Sequence, residues 1–272
     1  MIRNYVNMIE STHNDLVHQY SRKIPNDSTA QNYLVANIYS DKNRFYNILP
    51  SEETRVKLAD VGYYINANHI LDSYIATQQP LPNTFNDFWA MVYEKNAALI
   101  INLSGFNDYL PMECGRVYGE YYVRVEDITD RNLIKIRNIH ITKNNETKVI
   151  YHATFSLWPD FGIPSEEDFL KLFDAISMID YMSHKGPIIV HCRAGVGRTG
   201  TFILVHYILK KVNEGVFCSP VDVLHEMRRG RSGMVQEACQ FEFALRVICR
   251  KLDDKQDLLQ VPKRKLSASC DL

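Results

Sequence analysis

Residues 191–200 read His191-Cys192-Arg193-Ala194-Gly195-Val196-Gly197-Arg198-Thr199-Gly200. The apolar run before them, Pro187–Val190, predicts a buried strand, and the run that begins at Phe202 predicts a helix. A cysteine that ends a strand, followed after a short loop by an arginine that opens a helix, is an arrangement suited to holding a phosphate ester. The sequence therefore predicts an α/β fold with an anion-binding loop where a strand passes into a helix.

The loop between Cys192 and Arg198, here called the phosphate loop, has the chemistry for this task. Its backbone N–H groups can turn inward as a nest for an anion, and the helix that follows adds unpaired donors and partial positive charge. Arg198 can grip two phosphate oxygens with its planar guanidinium. The same field favours the thiolate of Cys192, which is the strongly nucleophilic form. The residues expected to line the nest are Arg193, Ala194, Gly195, Val196 and Gly197.

Three residues in or directly after the phosphate loop support this interpretation. Thr199 carries a hydroxyl that can donate to the sulfur when the sulfur becomes a leaving group. Gly195 and Gly197 are expected to provide positive φ values and to let the anion approach closely. The competing interpretation is an ordinary buried cysteine beside a glycine-rich turn.

A dinucleotide-binding motif overlaps the same residues, since Gly195–Gly200 also matches G-x-G-x-x-G. That motif requires a second strand that ends in an acidic residue roughly 20 residues later. Here a predicted helix follows Gly200, then a break at Asn213-Glu214-Gly215 and a further helix after Pro220. The pattern argues against a nicotinamide or flavin site, and the chain contains no G-x-x-x-x-G-K-[ST] element for an ATP-type phosphate loop.

Several short segments around the phosphate loop resemble the protein tyrosine phosphatase family, in its tyrosine-specific cytoplasmic form, from about Asn32 to Arg250. They follow the family's order and are Lys42-Asn43-Arg44-Phe45, Tyr64-Ile65-Asn66-Ala67, Thr77-Gln78 with Pro80–Thr84, Trp158–Gly162, and Gln236 with Gln240. The resemblance implies a highly twisted mixed β-sheet, parallel in the centre and flanked by helices. It also implies hydrolysis of phosphotyrosine in proteins through a cysteinyl-phosphate intermediate. A single catalytic domain with so little attached is similar to the compact phosphatases that some insect-associated viruses carry.

The segment Trp158–Pro164 holds Asp160 among prolines, a glycine and aromatic residues. A carboxylic acid can protonate a departing tyrosine and then, as a carboxylate, activate water against the phosphorylated cysteine. Loops punctuated by proline and glycine suit a position that approaches and withdraws. The resemblance makes Asp160 the general acid and base and Trp158 the anchor of the loop, whereas the segment alone would fit a surface turn.

The resemblance assigns roles to four further residues. Gln236 and Gln240 are four apart, so they share a face at a helix start, and the family uses Gln236 to orient water with Gln240 assisting. Without the family, this pair would fit a solvated helix face. Phe45 matches the aromatic residue that stacks on the substrate ring, which would make selection for phosphotyrosine steric. His191 completes the implied catalytic set.

Some positions depart from the family pattern, namely Asn47, Gln79, Asp108, Glu113 and Arg193. Asn47 stands where an aspartate holds the substrate's main chain, and Gln79 replaces a common glycine. Asp108 stands near the position where the family has a glutamate that orients the phosphate-loop arginine. Glu113 occupies a position that is usually basic in the family. These departures leave two alternatives open: a weakly active module that traps phosphotyrosine proteins, and, because of the extra cation Arg193, a phosphatase for phosphoinositides or RNA 5′-phosphates.

The composition narrows the class of protein. A net charge of −1 argues against a nucleic-acid partner, and the sequence shows neither an apolar run long enough to span a membrane nor a signal peptide. Six cysteines without paired spacing, one of them needed as a free thiolate, favour the reducing cytoplasm, which for a viral protein is that of the host cell. No metal-binding motif is present, and the expected chemistry needs no cofactor. We expect a monomer whose partners are phosphotyrosine proteins.

The chain divides into three predicted regions. Residues 1–31 are a polar, weakly helical lead-in, 32–252 are the catalytic domain, and 253–272 are a charged, disordered tail with Lys263-Arg264-Lys265. Helices are predicted at 85–95, 165–182, 199–212, 221–229 and 236–251. Strands are predicted at 98–103 and, alternating along the chain, from 118 to 155, with a turn at Asn144-Asn145-Glu146.

Overall fold

A computed structural model describes residues 1–21, 32–59, 64–111, 115–131, 134–159, 162–180 and 186–260. The strands in these ranges form one eight-stranded sheet in the order β1-β2-β8-β3-β7-β6-β5-β4. They are β1 (Ala67–Ile70), β2 (Tyr74–Gln78), β3 (Leu99–Asn102), β4 (Arg116–Tyr118), β5 (Tyr121–Arg131), β6 (Ile134–Lys143), β7 (Glu146–Phe155) and β8 (Ile188–Cys192).

The sheet is mixed, and its parallel part lies in the centre. Strands β2, β8, β3 and β7 are parallel neighbours, and every other pairing is antiparallel. The prediction of a mixed sheet with a parallel centre is therefore confirmed. The predicted turn between β6 and β7 is also confirmed, because Asn144 and Asn145 both have positive φ, at 50° and 64°, as a tight hairpin turn requires.

The helices lie on both faces of this sheet. They are α1 (Ile2–Ser11), α2 (His13–Ser21), α3 (Leu34–Ile38), α4 (Phe85–Glu94), α5 (Glu166–Asp180), α6 (Gly197–Asn213), α7 (Pro220–Gly230) and α8 (Ala238–Gln260), with short 3-10 turns at Ser40–Lys42 and Pro82–Thr84. Among these helices, none is both long and apolar enough to cross a bilayer.

Alternation along the central strands produces two apolar layers. Ile101 of β3 and Val190 of β8 point into the larger layer, which contains the buried faces of α5, α6 and α8. Their neighbours Ile100 and Ile189 point into the second layer, which α4 covers with Phe88, Trp89 and Met91 among others. Burial on both faces explains why these central strands are continuous apolar runs rather than alternating ones.

The ends of the described chain pack against each other. Tyr5, Val6 and Ile9 of α1 are buried in the larger apolar layer, where α1 and α2 contact α8. Helix α8 continues to Gln260, so the segment from Asp253 to Gln260 is helical where the sequence predicted a disordered tail. One reason is that Leu252 is buried and Asp253 forms an ion pair with Arg3 of α1, at 3.1 Å. The residues beyond Gln260, which include the basic triplet, lie outside the described ranges.

Candidate active site

The phosphate loop leaves the carboxyl end of β8, the central strand, and enters α6 at Gly197. Four successive carbonyl groups of the loop accept hydrogen bonds from the surrounding protein. Arg193 O accepts from Gln79 N at 3.2 Å, and Val196 O accepts from Val235 N at 3.1 Å. Arg231 donates to the two carbonyls between them, with Nη2 to Ala194 O at 3.1 Å and Nε to Gly195 O at 2.9 Å.

This pattern determines where the amide hydrogens of the loop point. In a trans peptide the C=O and the next N–H point in opposite directions. Because the carbonyls of residues 193–196 face donors in the surrounding protein, the N–H groups that follow them turn toward the opposite side, where Cys192 lies. Gly195 N donates to Cys192 Sγ at 3.3 Å. The loop therefore presents a set of amide donors around the sulfur, which is the geometry of an anion nest.

The two glycines of the nest serve different purposes. Gly195 has φ +73°, as predicted, and a Cβ there would overlap the carbonyl of Thr77. Gly197 does not have positive φ, because it is the first residue of α6. A Cβ on Gly197 would lie 3.0 Å from Gln240 Oε1, so this glycine permits close approach of a side chain instead.

Arg231 is the functional residue of this site that the sequence did not reveal. Its side chain is fully buried beneath the loop, and besides the two loop carbonyls it donates to Asn66 Oδ1 and Asn68 Oδ1, each at 2.7 Å. Burial lowers the pKa of its guanidinium to about 10, while the nearby Tyr64 and Cys192 oppose that shift. A buried cation thus holds the loop from behind and adds positive potential near Cys192.

Arg198 lies on the first turn of α6 and reaches two other loops. Its Nη1 donates to Leu103 O at 3.3 Å and its Nη2 to Pro159 O at 3.0 Å. The segment that contains Pro159 is fixed by Trp158, which is buried and donates from Nε1 to Gly162 O at 3.2 Å. The residues flanking the predicted acid are therefore attached to the phosphate loop on one side and to the core on the other. Asp160 itself lies outside the described residues.

His191 belongs to a buried polar chain. Its Nε2 and the Nε2 of His152 each lie 2.7 Å from the hydroxyl of Tyr109. All three side chains are fully buried. Burial lowers the pKa of His191 to about 3 and that of His152 well below its usual range, so both rings are neutral near pH 7. These hydrogen bonds fix the imidazole of His191, the residue directly before Cys192.

Thr199 is buried in the first turn of α6, next to Arg198. Within the described residues its Oγ1 has no hydrogen-bond partner. A buried hydroxyl without a partner costs free energy unless another group engages it. The position is consistent with the predicted donation to the cysteine sulfur.

The loop that carries Phe45 lies beside the phosphate loop because of Gln78. In the parallel pairing of β2 with β8, Gln78 is opposite Cys192. The Gln78 side chain donates to Lys42 O and accepts from Arg44 N, both at 2.9 Å. Phe45 is half-buried and Asn47 is exposed. The structure thus attaches the loop of the predicted ring-stacking residue to β2, the strand next to the one that ends at Cys192.

Gln236 and Gln240 lie together next to the nest, although not on one helix. Helix α8 begins at Ala238, so Gln236 belongs to the loop before it, and the prediction of a shared helix face is wrong. Gln240 is buried and its Oε1 accepts from Gln236 N at 3.1 Å. Gln236 is exposed, and its Cβ would lie 3.5 Å from a Cβ on Gly197. Val235, with φ +53°, ties this loop to Val196 O.

The positions that depart from the family pattern have different surroundings. Arg193 is exposed, and within the described residues its guanidinium makes no hydrogen bond or ion pair. Asp108 accepts from Gln79 Nε2 at 2.8 Å, whereas the described contacts of Arg198 are with carbonyl groups. A direct orienting role of Asp108 toward Arg198 therefore stays a prediction. Glu113 lies outside the described residues.

Comparison with known proteins assigns the family. Residues 39–250 match the family model described as "Protein-tyrosine phosphatase". The chain is 33% identical over 241 residues to tyrosine-protein phosphatase non-receptor type 7 of Homo sapiens, which covers 81% of this chain and 67% of that protein. It is 33% identical over 253 residues to the non-receptor type 20 protein of Rattus norvegicus, with 85% and 58% covered. With the non-receptor type 13 protein of Mus musculus the identity is 34% over 230 residues, with 76% and 9% covered.

The chain spans at most about two thirds of the length of these relatives. The family match nevertheless extends over most of the chain and includes every described element that borders the phosphate loop. The chain belongs to the protein-tyrosine phosphatase family, whose members are hydrolases.

Proposed function

We propose that this chain hydrolyses phosphotyrosine in proteins through a cysteinyl-phosphate intermediate on Cys192. The observation that carries the proposal is the hydrogen bonding of the loop carbonyls at residues 193–196, which leaves the amide donors turned toward the sulfur. Such preorganised donors stabilise the negative charge of a transferring phosphoryl group without reorganising during the reaction.

In the first step the thiolate of Cys192 attacks phosphorus from the side opposite the tyrosine oxygen. The S–P bond forms and the P–O bond to the phenol ring breaks. Asp160, as the carboxylic acid, donates its proton to the departing oxygen, so that neutral tyrosine leaves. Arg198 and the loop amides hold the three remaining phosphoryl oxygens.

In the second step water replaces tyrosine. Gln236 orients the water, and Asp160, now a carboxylate, removes its proton as the oxygen attacks phosphorus. The S–P bond breaks, and its electron pair returns to Cys192 with Thr199 as hydrogen-bond donor. Inorganic phosphate leaves, and the enzyme is restored. The position of Gln236 next to Gly197, and the unpartnered hydroxyl of Thr199, support these roles.

Selection for phosphotyrosine follows from the depth of the nest. Phe45 belongs to the loop that Gln78 attaches next to the strand of Cys192, and Cys192 is buried with only 4% of its surface exposed. A phosphorylated phenol is long enough to reach the sulfur from that loop, whereas a phosphorylated serine is shorter. The exposed amide of Asn47 lacks the charge of an aspartate, so we expect weaker hold on the peptide main chain.

Release of inorganic phosphate from phosphotyrosine peptides tests the proposal. We expect turnover by the wild type and none above background with Cys192→Ser, which keeps the shape of the side chain but removes the thiolate. Asp160→Ala should slow turnover while preserving binding. A wild type that binds phosphotyrosine peptides without releasing phosphate would instead identify a trapping module.

A second candidate substrate class is suggested by Arg193. Its guanidinium is exposed, makes no hydrogen bond or ion pair within the described part of the chain, and is able to contact another anionic group of a substrate. Phosphoinositides and RNA 5′-phosphates carry such groups. Turnover of these substrates beside a phosphotyrosine peptide, in the wild type and in Arg193→Ser, decides between the classes.

We also propose a cytoplasmic location, because the reaction requires Cys192 as a free thiol. Among the described residues Cys192, Cys218, Cys239 and Cys249 are all free. Exposure to peroxide should abolish turnover, and a thiol reductant should restore it. Indifference to peroxide would count against an essential thiolate.

A further inference from the structure

Gln79 is the residue that stands in place of a glycine common in the family, and its side chain is fully engaged. It is buried, with 3% of its surface exposed. Its Nε2 donates to Asp108 Oδ1 at 2.8 Å and to Phe106 O at 3.3 Å, and its Oε1 accepts from Ser104 Oγ at 2.7 Å. All three partners belong to one segment, Leu103–Asp108, which we call the Leu103 loop.

The backbone of Gln79 belongs to the active site itself. Its N–H donates to Arg193 O, which is one of the four carbonyl bonds that shape the nest. Its own carbonyl accepts from Arg44 Nε at 3.2 Å, next to Phe45. One residue therefore connects the phosphate loop and the Phe45 loop through its backbone, and the Leu103 loop through its side chain.

The Leu103 loop in turn contacts the phosphate-gripping arginine. Leu103 O accepts from Arg198 Nη1, and Leu103 N donates to His191 O at 2.9 Å. At the other end of the loop, the charge of Asp108 acts on Arg44, whose pKa burial lowers and Asp108 raises. The position of this loop thus affects Arg198 through the Leu103 carbonyl and Arg44 through the charge of Asp108.

We propose that Gln79 is a positioning residue, which fixes the Leu103 loop against the phosphate loop and thereby sets the grip of Arg198 on the phosphate. The inference rests on the proposed function, since it takes Arg198 as the phosphate ligand. With glycine at this position, the Asp108 carboxylate, the Phe106 carbonyl and the Ser104 hydroxyl would each lose a partner that the fold of this chain supplies. Gln79 thereby links Asp108 to the segment whose Leu103 carbonyl bonds Arg198.

Binding of tungstate, a phosphate analogue, to the purified full chain tests the inference without a substrate. We expect Gln79→Ala to bind tungstate about tenfold more weakly than the wild type and to have a raised KM for a phosphotyrosine peptide. Gln19→Ala is the matched control, because Gln19 is exposed on α2 and, within the described residues, no hydrogen bond joins it to the phosphate loop or the Leu103 loop. If Gln79 only supported folding, the active fraction would fall while the tungstate Kd of the folded protein stayed unchanged.

A like charge placed in this contact gives a sharper readout. Gln79→Glu places a carboxylate against Asp108, so we expect a larger loss of tungstate affinity than with Gln79→Ala. Adding Asp108→Asn should restore affinity, because the asparagine amide can donate to Glu at position 79. No rescue by Asp108→Asn would overturn the proposal.

A milder variant covers the case in which Gln79→Ala does not fold. Ser104→Ala removes one of the three side-chain bonds, and we expect a two- to fivefold weaker tungstate affinity, roughly what the loss of one hydrogen bond costs. Wild-type affinity in both Gln79→Ala and Ser104→Ala would refute the positioning role. A wild type that binds tungstate but releases no phosphate from phosphotyrosine would refute the proposed function alone.

Discussion

The floor and the rim of the candidate site border the same cleft but are held by different kinds of contact. The floor, residues 192–198 with Arg231 beneath them, is fixed through backbone carbonyls whose donors are buried. The rim, the Phe45 loop at residues 43–47, is attached mainly through the side chains of Gln78 and Asn43. Tyr46 on the rim is 92% exposed, whereas Arg231 below the floor is 0% exposed.

This difference indicates which side chains can change without altering the shape of the phosphate loop and which contacts must be kept. A floor held by hydrogen bonds to its backbone keeps its shape when an outward-facing side chain changes. Position 193 can therefore carry an arginine without disturbing the nest. On the rim, the proposed substrate contacts come from the side chains, and Asn47 is one of the departures there. We infer that the reaction is set by the floor and that selectivity among phosphotyrosine proteins is set by the rim.

Removing Arg231 should break the floor and have the largest effect. Arg231→Met leaves Ala194 O, Gly195 O and two asparagine oxygens without their donor. We expect a loss of about 3–5 kcal/mol in the free energy of unfolding, because each buried acceptor left unsatisfied costs about 1–3 kcal/mol, and a fall in kcat/KM of more than about 100-fold. Denaturant unfolding and peptide turnover measure the two quantities.

Arg229→Met is the control for this change, because Arg229 lies on the same helix end with its side chain exposed in an ion pair with Glu226. It should unfold and turn over like the wild type. Equal kcat/KM in Arg231→Met and Arg229→Met would show that the floor does not depend on the buried guanidinium.

The neutral histidines next to the floor should make stability depend on pH. An unfolded histidine titrates near 6.5, but His191 and His152 bind protons only at much lower pH when folded. Below about pH 6.5 the unfolded chain therefore binds more protons than the folded chain. The free energy of unfolding should fall as pH drops from 7 to 5, by up to about 1.4 kcal/mol per pH unit for each histidine.

His152→Gln isolates one of these contributions, because glutamine can still bond to the Tyr109 hydroxyl but does not titrate. The pH dependence of unfolding between pH 5 and 7 should become shallower by up to about 1.4 kcal/mol per unit. An unchanged slope would mean that His152 binds protons equally in the folded and unfolded states.

Loosening the rim should affect binding more than chemistry. Gln78→Ala removes the bonds to Lys42 O and Arg44 N. We expect the KM for a phosphotyrosine peptide to rise about tenfold, for two lost hydrogen bonds, with kcat changed little. Affinity for tungstate should remain that of the wild type, because the anion contacts only the floor. A weakened tungstate affinity would show that floor and rim are one unit.

The sequence predicted the floor well because its order is local. Cys192, Gly195 and Arg198 lie within one strand–loop–helix segment, whose apolar flanks define the strand and the helix on either side. The parallel centre of the sheet followed from the family resemblance, and apolar runs such as Ile188–Val190 agree with it.

The supports of the floor come from distant parts of the chain and were not predictable in this way. Arg228, Arg229 and Arg231 look alike in sequence, and only the packed structure shows that Arg231 is buried while Arg229 is exposed. Tyr109 meets His152 and His191 across three separate segments. The polar composition of the N-terminal segment likewise concealed the buried face of α1, because a narrow apolar stripe is diluted by the polar residues around it.

The smallest effect concerns how far the floor's supports extend. Tyr20 of α2 donates to Val235 O at 2.9 Å, directly before Gln236, and Arg228 Nη2 donates to the same carbonyl at 2.8 Å. Because Arg228 still pairs this carbonyl, Tyr20→Phe should cost only about 1 kcal/mol in the free energy of unfolding and slow turnover about two- to threefold. Tyr5→Phe is the matched control, since Tyr5 donates to Cys218 O at 2.6 Å, away from Gln236. The two variants should lose similar stability, but only Tyr20→Phe should turn over more slowly. If both turn over at the wild-type rate, α2 stabilises the fold without supporting the Gln236 loop, and the supports of the floor end at Arg228.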